Sequence, residues 1–406
     1  MKVDNQVNIH DSVGVKLFLT IYFVMILVFG ITTESMINPI GQDSPFPKLL
    51  SIGLHFPYYC TLVLFLIAFF QKRTIRNWLT TVLLFLIVGF GYIFVNWQPT
   101  IFLFMCLAWS SQTVPFKSLV RVDFWSRLLV VASLFAMNLM QILPVSPVEV
   151  RDGVSRLTLG FRHPNGLGMY LMMLMIECFY LYSYKKFRPV FLLLIGGISI
   201  YFLTDSRGAF LALLSFAILA FFGNILVNPH LRSLLMNLCL VIPALSFIGS
   251  LFTSVFLSPN SRLFQTLNDW MSGRPELLRI VYDSYAQKSF FGHDIPELAN
   301  DYYTWSIGTK SLFVDNQYMY ALMIFGWFGS VAEILYAFYC SLRAKLFHDE
   351  RLLFWLTAMA LFGLAEHKLL IVDMAIPFLS LGRLDPIEKI LTLSARIRHK
   401  TSAQIR

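Results

Sequence analysis

Apolar stretches of roughly 17–25 residues, the length that crosses a bilayer as a helix, recur along almost the whole of this chain. Hydrocarbon offers no partner for a backbone N–H or C=O, so only helices and closed barrels can span it. A barrel would show segments of about ten residues with alternating polarity, and the sequence has none of that pattern. An all-α polytopic membrane protein is therefore expected. The composition agrees: 57% of the 406 residues are hydrophobic and 14% charged, against about 25% charged in ordinary globular domains.

About twelve transmembrane helices are expected, over 16–33, 49–70, 78–96, 98–112, 126–145, 165–183, 188–204, 208–227, 234–256, 317–340, 352–369 and 370–383. Alternate connectors carry "QKRTIR" (71–76), "FKSLVRVDFWSR" (116–127), "YKKFR" (184–188), "HLR" (230–232) and "LRAKLFHDER" (342–351). Basic loops mark the cytoplasmic side, which puts both termini in the cytoplasm. The chain then forms one integral membrane domain, 1–406, with a long extracytoplasmic loop at 257–315 and a basic cytoplasmic tail at 384–406. The run after Lys16 is long and no A-x-A-like site follows, so it is a retained span rather than a cleaved signal. The net charge of +9 reflects this loop bias and not a nucleic-acid partner. The five Cys lie within or beside spans without metal spacing and behave as small hydrophobes.

On the outer side the charge bias breaks. Arg151, Arg156 and Arg162 sit in one connector and Arg207 in the tight turn "TDSRG", with only Glu149, Asp152 and Asp205 beside them. An exterior anionic ligand would account for arginines placed against the insertion rule, because guanidinium forks match phosphate oxygens. Helix N-termini at both turns add donors and a positive dipole end. Structural alternatives stay open. In "RHPNG", Asn165 could cap the next span with Pro164 shaping the entry, and His163 could bond to backbone. In the tight turn, Asp205 or Ser206 could cap and leave Arg207 snorkelling. The long loop adds Arg262 in "SPNSRLF" and Arg274 and Arg279 in "SGRPELLR". Leu277, Leu278, Val281 and Tyr285 share one helical face, which suits either a helix in the membrane interface or a lid packed on the bundle. The loop ends in "DNQYMYALMIFGWFG", where Asp315 and Asn316 stand before nine residues and a Gly-x-x-Gly that would allow close helix packing.

"GFRHPNGLG" before a span, "LTDSRGAFLAL" at the next outer turn, and "SGRPELLRIVYDSYAQKSFFGHD" closing on "DNQYMYALMIFGWFG" together resemble the O-antigen polymerase and ligase superfamily over roughly residues 150–335. Wzy-type polymerases of capsular and exopolysaccharide clusters are the most similar branch. The ligase branch has His-Asn, nine residues and Gly-x-x-Gly, and this chain has Asp315 in place of that histidine. The resemblance implies a GT-C-like, metal-independent glycosyltransferase of the bacterial cytoplasmic membrane, without a cofactor. It would join polyprenyl-diphosphate-linked oligosaccharide repeat units on the outer face. Membrane lipids, a flippase and a chain-length regulator are the implied partners. The alternatives are a ligase of the same superfamily and a lipid-linked oligosaccharide flippase. Neither a D-x-D motif nor a Gly-rich Gly-Lys-Ser/Thr phosphate loop occurs. Arg207 and Arg274 are expected to stabilise the leaving diphosphate. Asp315 is expected to take the acceptor proton, with His293 and Glu366 as alternates. Arg156, Arg162, His163, Asn165, Arg262, Tyr282 and Asn316 make up the expected substrate-binding set.

Overall fold

A computed structural model describes residues 13–38, 46–69, 99–143, 149–151, 154–182, 187–271, 273–284, 290–292, 305–307, 310–312 and 314–380, with helical positions also at 82, 86 and 89. The described helices are α1 (Val13–Thr33), α2 (Pro47–Phe69), α3 (Pro99–Ser110), α4 (Phe116–Leu139), α5 (Pro164–Tyr182), α6 (Phe187–Thr204), α7 (Arg207–Ile225), α8 (Pro229–Leu251), α9 (Arg262–Trp270), α10 (Arg274–Ser284), α11 (Gln317–Leu346) and α12 (Glu350–Phe362). Two short antiparallel hairpins, β1 (Glu149–Arg151) with β2 (Val154–Arg156) and β3 (Trp305–Ile307) with β4 (Lys310–Leu312), complete the elements. The protein is thus an all-α membrane protein in which α1, α2, α7, α8 and α11 are long and apolar enough to cross a bilayer. The helix α8 runs on as a π-helical turn to Phe256.

Helix α1 packs against α2 and α4, and α2 packs on α3. Helices α5 to α8 form a second group, which α11 and α12 close by packing on α8 and on α7 and α8 respectively. Trp355, Tyr170, Phe161 and Phe216 are fully buried in the shared core. The outward face is apolar. On α6, Phe191, Leu192, Ile195, Ile198 and Phe202 are 48–73% exposed, a surface that suits acyl chains and not water.

A group of charges lies inside this apolar interior. The Arg127 Nε on α4 donates to Asp123 Oδ2 at 2.6 Å and to Glu177 Oε1 on α5 at 3.1 Å. The Tyr22 hydroxyl on α1 donates to the other Asp123 oxygen at 2.8 Å, and Arg127 Nη2 donates to the Asp373 carbonyl. Arg127, Asp123 and Glu177 have no exposed surface. Ionisable side chains at such depth must pair with one another or with backbone oxygens.

Two expectations are corrected. Residues 370–383 were expected to cross the membrane, yet through Ser380 they form turns and a short 3₁₀-helix, Ile376–Leu379. The stretch is buried by protein on all sides: Met374, Ala375 and Ile376 have no exposure. Its carbonyls are paired by side chains, with Arg127 on Asp373, Tyr336 on Phe378 at 2.6 Å and Ser111 on Leu379 at 3.0 Å. Irregular backbone at membrane depth is tolerated under that condition. The expected count of about twelve therefore loses this member, and its third span, 78–96, lies almost wholly outside the described residues, as does the tail at 384–406.

The second correction concerns Gly326. It does not serve close packing of a continuous helix. It stands at φ 64°, ψ −168° and breaks α11 after nine residues. Part of the long loop fills the break: Phe328 N donates to the Phe290 carbonyl at 3.0 Å. A Cβ on Gly326 would fall 2.3 Å from Gly292 N, and one on Gly292 would fall 2.1 Å from the Ile324 oxygen. Both glycines adopt positive φ, which side-chain-bearing residues rarely do.

Helix α10 of the 257–315 loop also lies against the bundle. Leu278 of α10 is 3% exposed and belongs to the apolar cluster of Phe247, Met319 and Leu322. The face carrying Leu277 and Leu278 packs on the bundle. The Val281 side chain and Tyr285 lie outside the described residues.

Candidate functional site

Five segments meet at one end of the bundle: the end of α1, the approach to α5, the α6–α7 turn, the junction of the long loop with α11, and the turn after α12. Backbone hydrogen bonds fix the seams. Arg162 N donates to the Glu34 carbonyl at 3.0 Å, Leu157 N to Leu203 at 2.9 Å, and Gln317 N to Gly363 at 2.8 Å.

A chain of polar contacts then runs across the site. Arg156 Nε donates to the Thr204 carbonyl at 2.8 Å and its Nη2 to Asn165 Oδ1 at 2.6 Å. Asn165 Nδ2 continues to Glu366 Oε1 at 3.0 Å. Of the alternatives open in "RHPNG", the backbone bond of His163 is realised and the cap by Asn165 is not. His163 Nδ1 accepts from Asn165 N at 3.0 Å and caps α5, while Asn165 reaches across to the far turn. The reason is positional: with Pro164 as the first helical residue, His163 occupies the cap and Asn165 already sits inside the first turn.

Glu366 is 5% exposed and lies against the start of α7, where a Cβ on Gly208 would come within 3.0 Å of its Cγ. Burial pushes the Glu366 carboxyl above the usual range and the Asp315 charge adds to this, while Arg274, His367 and Lys368 pull it back. The next two residues face other partners. Lys368 Nζ meets the Glu34 carboxylate at 3.3 and 3.4 Å with both side chains 3% exposed. The His367 ring stacks on Tyr320 with centroids 5.0 Å apart and places Nδ1 3.9 Å from Asp315 Oδ1.

Arg274 Nη2 donates to the other Asp315 oxygen at 3.1 Å, joining the start of α10 to the junction with α11. Asn316 is committed to the helix itself. Its Oδ1 accepts from Tyr318 N and Met319 N at 3.0 Å, and its Nδ2 donates to Ser250 Oγ at 3.0 Å and the Leu364 carbonyl at 3.2 Å. Arg207 is 42% exposed and 3.7 Å from Asp205. Neither Asp205 nor Ser206 caps α7 through its side chain: Ser206 makes no such bond, and Asp205, at φ 46°, turns to Arg207.

The structure thus brings together Arg156, Asn165, Glu366, Arg274 and Asp315, with Arg162 donating to the Thr33 carbonyl at 3.4 Å and with Arg207 one residue before the Gly208 that lies against Glu366. Arg262 opens α9 as an exposed residue, Tyr282 packs on the apolar cluster under α10, and Arg279 binds the carbonyls that end α8, at Ser254 and Val255. His293 lies outside the described residues. Sequence reasoning missed Glu34, His367, Lys368 and Tyr320. The first stands at the lip of a span, an unusual place for a lone acid, and two more directly follow Glu366 in "EHK". The group is consequently more balanced in charge than the arginines alone suggested. Its chemistry is that of a site able to receive an anion near Arg207 and Arg274 and to move a proton through Asp315, Glu366 or His367.

No match was found among curated proteins or among solved structures. A family model described as O-antigen ligase matches residues 169–333. The matched stretch runs from the second turn of α5 into α11 and includes Arg207, Arg274 and Asp315, but neither Arg156–Asn165 nor Glu366–Lys368. That match covers less than half of the chain, and over that segment it supports a likeness to the O-antigen polymerase and ligase superfamily.

Proposed function

We propose that the protein is a polysaccharide polymerase that joins polyprenyl-diphosphate-linked oligosaccharide repeat units at the outer face of a bacterial cytoplasmic membrane. The observation that carries this is the Arg274–Asp315 pair at the mouth of α11, with Arg207 exposed at the mouth of α7, whose next residue, Gly208, lies against Glu366. A lipid diphosphate is already a good leaving group. The protein has to neutralise the charge that grows on it and serve the acceptor hydroxyl. Arg207 and Arg274 suit the first task, assisted by Arg156 and Arg162. Asp315 suits the second. Orientation is supported by the far end of the bundle, about 27 Å away along α5, where Arg232 pairs with Glu350 and Arg351 binds the Tyr180 carbonyl. A basic end suits the cytoplasm.

A ligase that passes the finished chain to another acceptor is the second candidate, favoured by the description of the matching family. Asp315 in place of the ligase histidine does not separate the two, because His367 stands 3.9 Å from that carboxylate. Product analysis does. In a deletion strain complemented with Arg207→Ala or Arg274→Ala, the polymerase predicts single repeat units on the surface at normal protein level. A ligase predicts long chains retained on the lipid carrier. Full-length surface polymer from both variants would refute the arginine assignment.

A further inference from the structure

We infer that an apolar groove between α5 and α6 holds the polyprenyl tail of the donor. This rests on the lipid-diphosphate function proposed above and adds where the lipid part of that donor lies.

The groove has a volume of about 300 Å³, and its lining includes Leu171, Met175 and Cys178 of α5 and Gly196, Ser199 and Leu203 of α6. Small residues open it. Helix α5 presses on the α6–α7 turn at Gly168, where a Cβ would fall 2.6 Å from Ser206 Cβ. Further along, Cys178, Gly196 and Ser199 leave space between the two helices. Gly196 has no side chain of its own, and the Met175 side chain lies over its backbone: a Cβ there would meet Met175 Cε at 2.0 Å. Ser199 turns its hydroxyl back to the Ile195 carbonyl at 2.9 Å, and the groove surface is apolar. Its side is open, because Cys178 and Ser199 are exposed and Leu203 is 42% exposed. A chain lying in the bilayer can therefore enter sideways without crossing the polar group.

Position selects the occupant. Leu203 directly precedes Thr204, whose carbonyl receives Arg156 Nε at 2.8 Å, and Arg207 opens α7 three residues further on. From Leu203 to Gly196 the groove follows α6 for about 10 Å, away from the arginines and into the apolar belt. Guanidinium groups at one end and an apolar channel at the other match the two parts of a polyprenyl diphosphate. A bilayer acyl chain gains little by entering, because lipid is as apolar as the protein surface it would leave lipid for. A tail already tethered by its diphosphate binds intramolecularly, so its packing contacts add to the affinity of the headgroup.

The test uses purified full-length protein in nanodiscs of phosphatidylglycerol and phosphatidylcholine. A polyprenyl diphosphate with a diazirine in the isoprene units nearest the diphosphate is photolysed on it, and the adducts are mapped by mass spectrometry. Adducts are expected within residues 171–178 and 196–203. Excess unlabelled polyprenyl diphosphate should remove them, and excess phospholipid should not. Ser199→Trp and Cys178→Trp fill the groove from its exposed side and should cut the labelling. With repeat-unit donors, either variant should raise the ratio of long-tail to short-tail donor KM by about tenfold, equivalent to about 1.4 kcal/mol of lost packing. Adducts confined to other helices, adducts displaced by phospholipid, or an unchanged ratio in both folded variants would overturn the inference. Should both variants fold poorly, labelling of the wild type decides. That labelling needs no sugar and so reads the groove apart from the reaction. Wild-type protein that labels here but forms no glycosidic bond would refute the proposed function and keep the tail site.

Discussion

Replacing Arg127 with Met tests whether the buried charges of α4 and α5 act as one unit. Arg127 fills its place with no exposed surface and puts a single Nε between Asp123, at 2.6 Å, and Glu177, at 3.1 Å. Met matches much of its length but supplies no donor. Three oxygens then lose their partner at once: one on each carboxylate and the Asp373 carbonyl. Removing one member of a buried ion pair costs about 3–5 kcal/mol, mostly for the charge left behind. That is a large part of a typical folding free energy of about 5–15 kcal/mol. The triple variant Arg127→Met, Asp123→Asn, Glu177→Gln removes the stranded charges as well. It is expected to recover most of the loss, because exchanging a whole buried pair for neutral groups is often nearly free. Thermal unfolding of the detergent-solubilised protein, followed by size-exclusion chromatography, gives both numbers. The two should differ by several kcal/mol in apparent stability. A single variant that melts with the wild type, or a triple variant no better than the single one, would refute the argument that pairing rather than volume matters here.

Other consequences are simpler. Glu366→Gln should flatten the pH dependence of stability: a carboxyl held above its ordinary value contributes most below about pH 4.5, and that contribution falls as pH rises through the raised value. Melting curves across pH 4–8 check this, and an unchanged slope would count against burial of the group. Gly326→Ala forces a Cβ to 2.3 Å from Gly292 N at a positive φ and should abolish recovery of folded protein, measured as the monodisperse fraction after solubilisation. Asn316→Ala removes the acceptor of two amide protons at the start of α11 and should cost about 1–2 kcal/mol. Activity per folded molecule should stay near wild type, and a large fall in turnover at unchanged melting temperature would return Asn316 to the substrate.

What was legible in the sequence follows from what periodicity and charge can report. Long apolar spans such as α1 and α8 announce themselves through length alone. The alternation of basic connectors placed "RHPNG", "TDSRG" and the Asp315 junction on one side, and these segments do meet. Contacts set by tertiary packing were hidden. Nothing local distinguishes Asn165 as a bridge to Glu366, 201 residues away, from Asn165 as a helix cap. Apolar residues after Glu366 suggested another span because burial by protein and burial by lipid leave the same hydropathy. Only the partners of the Asp373, Phe378 and Leu379 carbonyls separate the two. Gly326 was recognised as special, but a glycine that lets helices touch and one that lets a helix stop read alike in a single sequence.

The interlock of Gly292 with Gly326 imposes an order of assembly. A loop carbonyl, that of Phe290, accepts from the Phe328 N–H just past the break in a helix made after the loop. Until residues 290–292 arrive, the two halves of α11 hold unpaired backbone groups where the bilayer offers nothing to satisfy them. The nascent helix therefore needs a wet or protein-lined boundary until the loop before it has docked. The seating of the loop and the completion of the helix that follows it are thus one event.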